Sequence, residues 1–178
     1  MAHEFVQAHQ QLGPRLIDSQ KVALQSWADE YRGELGIALS DTMGFDKFLK
    51  DFDRFFSLLF DGCRQDSGNP VQWADKLIAH YKGMRIDPRS KTAIFSDGLT
   101  FKTAVDLFNR FHRQISTSFG IGTYLTNDCG FIAPQIVIKM VECNWKPVAK
   151  VSASEDTGMC EVTEFLKYLH KVIREDLA

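Results

Sequence analysis

Apolar residues recur at helical spacing in several stretches of the chain, with short apolar runs between them, so the pattern predicts alternating helices and strands. After Met1-Ala-His-Glu4, the run containing Phe5, Val6, Ala8 and Gln10 has helical character. Asp18-Ser19 predicts a capped helix carrying Val22, Ala23, Trp27 and Tyr31 on one face, punctuated at its end by Gly33 and Gly36. Residues 35–39 read as a short buried strand closed by Ser40-Asp41-Thr42. Phe45, Phe48, Leu49, Phe52, Phe55, Phe56 and Leu59 fall on one broad face and predict a single helix over 45–59, its aromatic face core rather than a ligand box. A less distinct strand over 58–63 delivers Arg64-Gln-Asp-Ser-Gly-Asn-Pro70. Helices follow over 71–81, with Trp73, Leu77 and Ile78 inward, and over 103–111, with strands over 91–95 and 115–119. Residues 136–142 and 147–151 predict an extended pair turning at Asn144-Trp145, and 161–176 a closing helix.

Strand, polar loop and helix repeat through the middle of the chain, which points to a parallel α/β architecture with right-handed crossovers. Ligands of such folds bind at the carboxyl ends of the strands. Those ends carry Asp41, then Arg64 with Asp66 and Ser67, then Asp97 with Gly98, then Gly120, Gly122 and Thr123. The glycines let a backbone approach a ligand, successive N–H groups in such a turn form a concave anion site, and Thr123 adds a hydroxyl, so a phosphate is the natural guest. Arg64 is a bidentate partner for phosphate or carboxylate, and Asp66 can accept from sugar hydroxyls or hold magnesium. The plainer readings are a surface Arg64–Asp66 pair with a helix entry at Asn69-Pro70, a helix start at Asp97, and a helix cap at Asp41.

The 178 residues suit one domain, and 44% hydrophobic with 25% charged content is that of an ordinary globular chain. A net charge of −2 gives no sign of a nucleic-acid partner, and no apolar run reaches the roughly 20 residues of a membrane span. Cys63, Cys129, Cys143 and Cys160 lie far apart without a C-x-x-C pair, as in a reducing cytoplasm. His9, His80, His112 and His170 fall on predicted helices, and His3 and His9 do not share an i, i+4 face, so no metal-ligand set is expected. His3, close to the terminus, reads by itself as a surface residue.

Taken together, Met1-Ala-His-Glu4, Arg64-Gln-Asp-Ser-Gly-Asn-Pro70, Phe95-Ser-Asp-Gly-Leu99 and Ser118-Phe-Gly-Ile-Gly-Thr123 resemble the nicotinate phosphoribosyltransferase family. Val137-Ile-Lys-Met-Val-Glu-Cys-Asn144 and Lys146-Pro-Val-Ala-Lys150 strengthen the resemblance and favour the nicotinate over the nicotinamide enzyme. The resemblance implies part of a type II phosphoribosyltransferase fold, an irregular TIM-like α/β barrel of which residues 1–178 would be the C-terminal half, the N-terminal domain and early strands being absent. It implies an enzyme that makes nicotinate mononucleotide and pyrophosphate from nicotinate and phosphoribosyl pyrophosphate, helped by ATP and Mg2+. The family enzyme is cytoplasmic and builds its site across a homodimer. His3 matches the family's phosphorylated histidine. Asp66 and Asp97 would face the ribose or magnesium, Arg64, Ser67 and Gly98 the substrate, and Gly120, Gly122 and Thr123 the phosphate. Ser152-Ala-Ser-Glu-Asp-Thr-Gly158 departs from the family's Ser-Asp-Ser-Pro-Gly-Lys-like turn, and no role carries over to it. A non-catalytic fragment that binds phosphoribosyl ligands, or only a full-length subunit, is the alternative.

Overall fold

The structure, a computed structural model, describes residues 1–132, 136–151 and 158–178. Helix α1 spans His3–Leu12, and a 3-10 turn at Leu16–Asp18 leads into α2, Ser19–Tyr31. The start of α2 is where the pattern predicts it, but Asp18 does not cap it. Its carboxylate accepts from Arg15 Nε, while Ser19 Oγ donates back to the Leu16 carbonyl. Arg32 and Gly33, both at positive φ, end α2 and turn the chain.

A parallel sheet follows, in the order β1 (Ile37–Leu39), β2 (Gly62–Gln65), β3 (Thr92–Phe95), β4 (Ser116–Phe119). Its crossovers are α3 (Phe45–Asp51) with α4 (Arg54–Leu59), then α5 (Pro70–Gly83), then α6 (Phe101–Phe111). Parallel strands in sequential order, joined by right-handed crossovers, carry their helices on one face. Small residues make that face flat: Ala38 is in register with Cys63 and Cys63 with Ala93, all fully buried under the helices. Gly62 is required by the pairing itself, because a Cβ there would lie 1.9 Å from the Thr92 carbonyl oxygen. Between helices and sheet, Phe48, Phe52, Phe56, Phe60, Tyr81, Phe95 and Phe111 are all buried, so the aromatic face is core. Phe48 stacks on Phe52 with centroids 4.8 Å apart, and Phe95 stacks on Phe111 at 6.1 Å.

The expected single helix over 45–59 is two helices. Asp53 Oδ1 accepts from the N–H groups of Phe55 at 3.0 Å and Phe56 at 3.4 Å, and this local cap competes successfully with continuation of α3. The break turns Phe55 and Leu58 out to solvent while Phe48, Phe52 and Phe56 stay inside. It also moves the next strand: Leu58 and Leu59 belong to α4, and β2 runs over Gly62–Gln65, starting four residues later than the expected 58–63. The remaining helices and strands of the sheet form where the periodicity places them, within a residue or two at their ends.

Beyond β4, a short helix α7 (Thr123–Thr126) precedes a strap of extended chain. The predicted extended pair shrinks to the hairpin of β5 (Glu142–Cys143) and β6 (Lys146–Pro147). Asn144 and Trp145, at φ 51° and 61°, make its two-residue turn, the left-handed pair that suits a tight hairpin. The Val141 carbonyl accepts the Val148 N–H at 3.0 Å, but residues 136–140 are outside the strands, and β7 (Lys150–Val151) pairs with β8 (Gly158–Met159). The divergent turn at 152–157 lies outside the described residues. Helix α8 (Thr163–Leu177) packs Leu169 and Ile173 against Met43, Ala149 and Val151 in a second, smaller core. No helix among the described residues is long and apolar enough to cross a membrane.

Candidate active site

The first turn of α1 carries His3 to the carboxyl ends of β1 and β2. His3 is 3% exposed, so the expectation of a surface histidine is overturned. Its Nε2 is 3.0 Å from Asp41 Oδ1 and 3.5 Å from Asp66 Oδ2. Its Nδ1 is 3.2 Å from Lys139 Nζ. An ammonium only donates, so Nδ1 is the acceptor and Nε2 carries the proton it gives to Asp41. Asp41 is therefore not a helix cap. Oδ2 accepts from Ser67 Oγ at 2.7 Å and pairs with Lys150 Nζ at 2.9 Å. Burial by itself would raise the Asp41 carboxyl, but the His3 hydrogen bond and the Lys150 charge outweigh it and hold the group well below the usual carboxylate range. His3, Asp41 and Asp66 present ligand atoms within 4.8 Å of one another.

Both lysines come from the strap, and α1 fixes where the strap lies. Gln7 Nε2 donates to the Met140 carbonyl at 2.8 Å, and Gln11 Nε2 to the Pro147 carbonyl at 2.6 Å. Gln10 makes a reciprocal pair with Ala149, donating to its carbonyl at 2.7 Å and accepting its N–H at 2.8 Å. His3, Gln7 and Gln10 share one face of α1 by their i, i+4, i+7 spacing. That polar face holds the strap so that Lys139 reaches one side of the histidine cluster and Lys150 the other.

Ser96 joins this cluster to an open cavity. Its hydroxyl is 2.8 Å from the Gln65 carbonyl oxygen and 3.1 Å from Asp66 Oδ1. The cavity, of about 490 Å³, is lined among others by Asp97, Gly98, Gly120, Gly122 and Thr123, so the structure brings these five predicted residues together. Burial, and then the nearby Asp66, raise the Asp97 carboxyl; Lys150 opposes this and Asp41 adds to it. Gly98 sits at φ +58°, a left-handed turn that favours glycine. Gly120 is needed for space, since a Cβ would lie 3.2 Å from Ser96 Cβ. Its N–H donates to the Phe95 carbonyl at 2.8 Å, so the expected run of N–H groups around an anion loses this member to the sheet.

Arg64 does not form the surface pair with Asp66, which turns to His3 and Ser96. Arg64 lies on β2, its Nε buried without a hydrogen-bond partner among the described residues. Ser67, predicted to meet substrate, donates its hydroxyl to Asp41 Oδ2. The residues that sequence reasoning passed over are Lys139, Lys150 and the glutamines of α1. The polar i, i+4, i+7 face next to Val6 is the signal that could have found the glutamines, as a helix face that is neither solvated nor apolar.

A profile of the nicotinate phosphoribosyltransferase (NAPRTase) family matches residues 1–177. The nicotinate phosphoribosyltransferase of Ralstonia nicotianae is 57% identical over 172 residues, which are 97% of this chain and 44% of that protein. The one from Xanthomonas axonopodis pv. citri is 56% identical, with the same coverage. The crystal structure of nicotinate phosphoribosyltransferase from Vibrio cholerae superposes with a TM-score of 0.93 at 43% identity, covering 99% of this chain and 45% of that one. The Porphyromonas gingivalis enzyme gives 0.90 at 31% identity, covering 97% and 46%. The chain thus spans less than half the length of these relatives. The family match over residues 1–177 and these identities show that the chain belongs to the nicotinate phosphoribosyltransferase family.

Proposed function

We propose that the chain supplies the phosphoryl-accepting histidine and part of the phosphoribosyl rim of an ATP-coupled nicotinate phosphoribosyltransferase. The reaction forms nicotinate mononucleotide and pyrophosphate from nicotinate and phosphoribosyl pyrophosphate. One observation carries the reading: Ser96 links the buried cluster of His3, Asp41 and Asp66 to the cavity of Asp97, Gly98, Gly120, Gly122 and Thr123. The first can receive a phosphoryl group, and the second has room for a phosphorylated sugar.

Departure of pyrophosphate leaves an oxocarbenium-like sugar, and the carboxylates of Asp66 and Asp97 stabilise that positive charge from fixed positions. The same carboxylates accept from ribose hydroxyls, Thr123 donates to the 5′-phosphate, and the Arg64 guanidinium meets pyrophosphate or the pyridine carboxylate. His3 takes the phosphoryl group of the co-substrate ATP on Nδ1, while Asp41 keeps the Nε2 proton and offsets the charge of the substituted ring. A phosphoryl group adds about −1.5 to −2 charge beside the pyrophosphate site, which couples ATP cleavage to product release through different affinities in the two states. Magnesium fits Asp66 and Asp97 better than Asp41, because Asp41 already carries Lys150 whereas Asp97 is raised by burial and then by the nearby Asp66. Bound there, it would supply charge neutralisation to the phosphates.

Parallel strands in sequential order are the arrangement of barrel staves, which supports the reading of this sheet as part of the family barrel. Phe131, Ile132, Ile138 and Trp145 are 79% to 99% exposed, an apolar surface that the remainder of a full-length enzyme or the second subunit of a homodimer would cover. Free Cys63, Cys129, Cys143 and Cys160 fit a cytoplasmic enzyme. The test is nicotinate mononucleotide formation by the chain extended to the length of its relatives, with ATP and magnesium. Activity is expected, lowered about 100-fold or more by Asp66→Ala. A folded extended protein with no activity overturns the proposal.

A further inference from the structure

We infer that Lys139 is a positioning residue for phosphoryl transfer at His3: it holds Nδ1 before the transfer and pairs with the phosphoryl oxygens after it. The inference rests on the proposed role of His3 as phosphoryl acceptor, and it adds Lys139, which lies in the motif over 137–144 but has no role from the sequence.

The geometry leads there in steps. Asp41 and Lys139 grip opposite nitrogens of the same ring, Asp41 Oδ1 at 3.0 Å from Nε2 and Lys139 Nζ at 3.2 Å from Nδ1. With the proton on Nε2, the nucleophilic lone pair is the one that faces the ammonium. Among the described residues, no carboxylate pairs with Lys139. Asp41 has Lys150, and the clamp at Gln7 and Met140 places Lys139 immediately beside the histidine. The ring is 3% exposed, so a group that reaches Nδ1 must take the place of the lysine ammonium. An ammonium displaced by a phosphoryl group is left next to two or more anionic oxygens, where its hydrogen bonds become charge-assisted. In the transfer, the N–P bond forms as the donor's bond to phosphorus breaks and the leaving group departs with its electron pair. The Nε2 proton stays on the ring, facing Asp41.

The test uses the 178-residue chain with phosphoramidate as the phosphoryl donor, whose P–N bond breaks with loss of ammonia. Phosphorus and nitrogen NMR read which ring nitrogen is substituted and how long the phosphohistidine lasts. Wild type is expected to carry phosphate on Nδ1 of His3. Lys139→Met is expected to keep the same isomer but lose the phosphoryl group about tenfold faster, the scale of a hydrogen bond to a charged group, and Lys139→Arg to restore the lifetime. An unchanged amide spectrum checks that each variant is folded, and a general loosening of the strap would not be rescued by arginine. If Lys139→Met and wild type hold the phosphoryl group equally long, Lys139 has no such role and the reading of His3 stands. If wild type carries no more phosphohistidine in total than His3→Asn, both fall.

Discussion

The histidine cluster and the glycine-lined cavity stand on either side of Ser96, and they are built in opposite ways. In the cluster, the side chains of His3, Asp41 and Lys150 are 3%, 8% and 12% exposed and hold one another directly. Each charge is answered by a neighbour, and Asp41 stays ionised in spite of its burial. In the cavity, Asp97 has no ion-pair partner among the described residues; burial and then Asp66 outweigh the influence of Lys150, and its proton is held more tightly than usual. The cluster is therefore set before anything binds, as a phosphoryl acceptor must be if it is to keep one tautomer. The cavity is short of positive charge until a ligand or cation arrives. A site that performs two coupled reactions gains from this division, since one half keeps its geometry while the other responds to occupancy.

Substitutions at the two halves test the contrast. The largest effect is expected from Asp41→Ala, which leaves His3 and Lys150 buried beside an empty place and should cost about 3–5 kcal/mol in urea unfolding. A loss below about 1 kcal/mol would mean that the cluster is not the fixed half. Gly120→Val comes next, at about 1–3 kcal/mol, because the added carbons press on Ser96 and push it off Asp66. Gly98→Ala has open space around its Cβ but a left-handed backbone, so about 1 kcal/mol is expected, with Gly98→Asn milder than Gly98→Ala. If Gly98→Ala proves costlier than Gly120→Val, the cavity is held by backbone conformation more than by packing.

Acid should separate the halves with opposite signs. Asp41, depressed in the folded chain, adds stability above about pH 4, where unfolded aspartates ionise, and that contribution is lost as pH falls below this through its folded value. Asp97, raised when folded, detracts from stability at neutral pH, and the deficit vanishes below about pH 4. Asp41→Asn should thus be less stable than wild type at neutral pH and approach it in acid. Asp97→Asn should be slightly more stable at neutral pH, the smallest of these effects because Asp97 is largely exposed and screened. Urea midpoints at neutral pH and near pH 3 decide both.

Most of the sheet could be read from periodicity, because Trp73, Leu77, Ile78 and their like must face inward whatever lies beyond them. The break at Phe52-Asp53 could not, since every phenylalanine around it fits one helical face and a single carboxylate decides otherwise. The cavity was legible because its glycines and Asp97 end successive strands of one parallel sheet. The cluster was not. His3 and Asp41 are 38 positions apart, and His3 and Lys139 are 136 apart, so no local pattern records their meeting. A motif could mark His3 as special, but only the fold shows what surrounds it.

The glutamines of α1 recognise the strap by its amide groups and ignore its side chains. Outward residues such as Ile138 and Trp145 are thereby released from any part in setting the strap's path. That outer surface can differ with whatever it faces without moving either lysine from the histidine cluster.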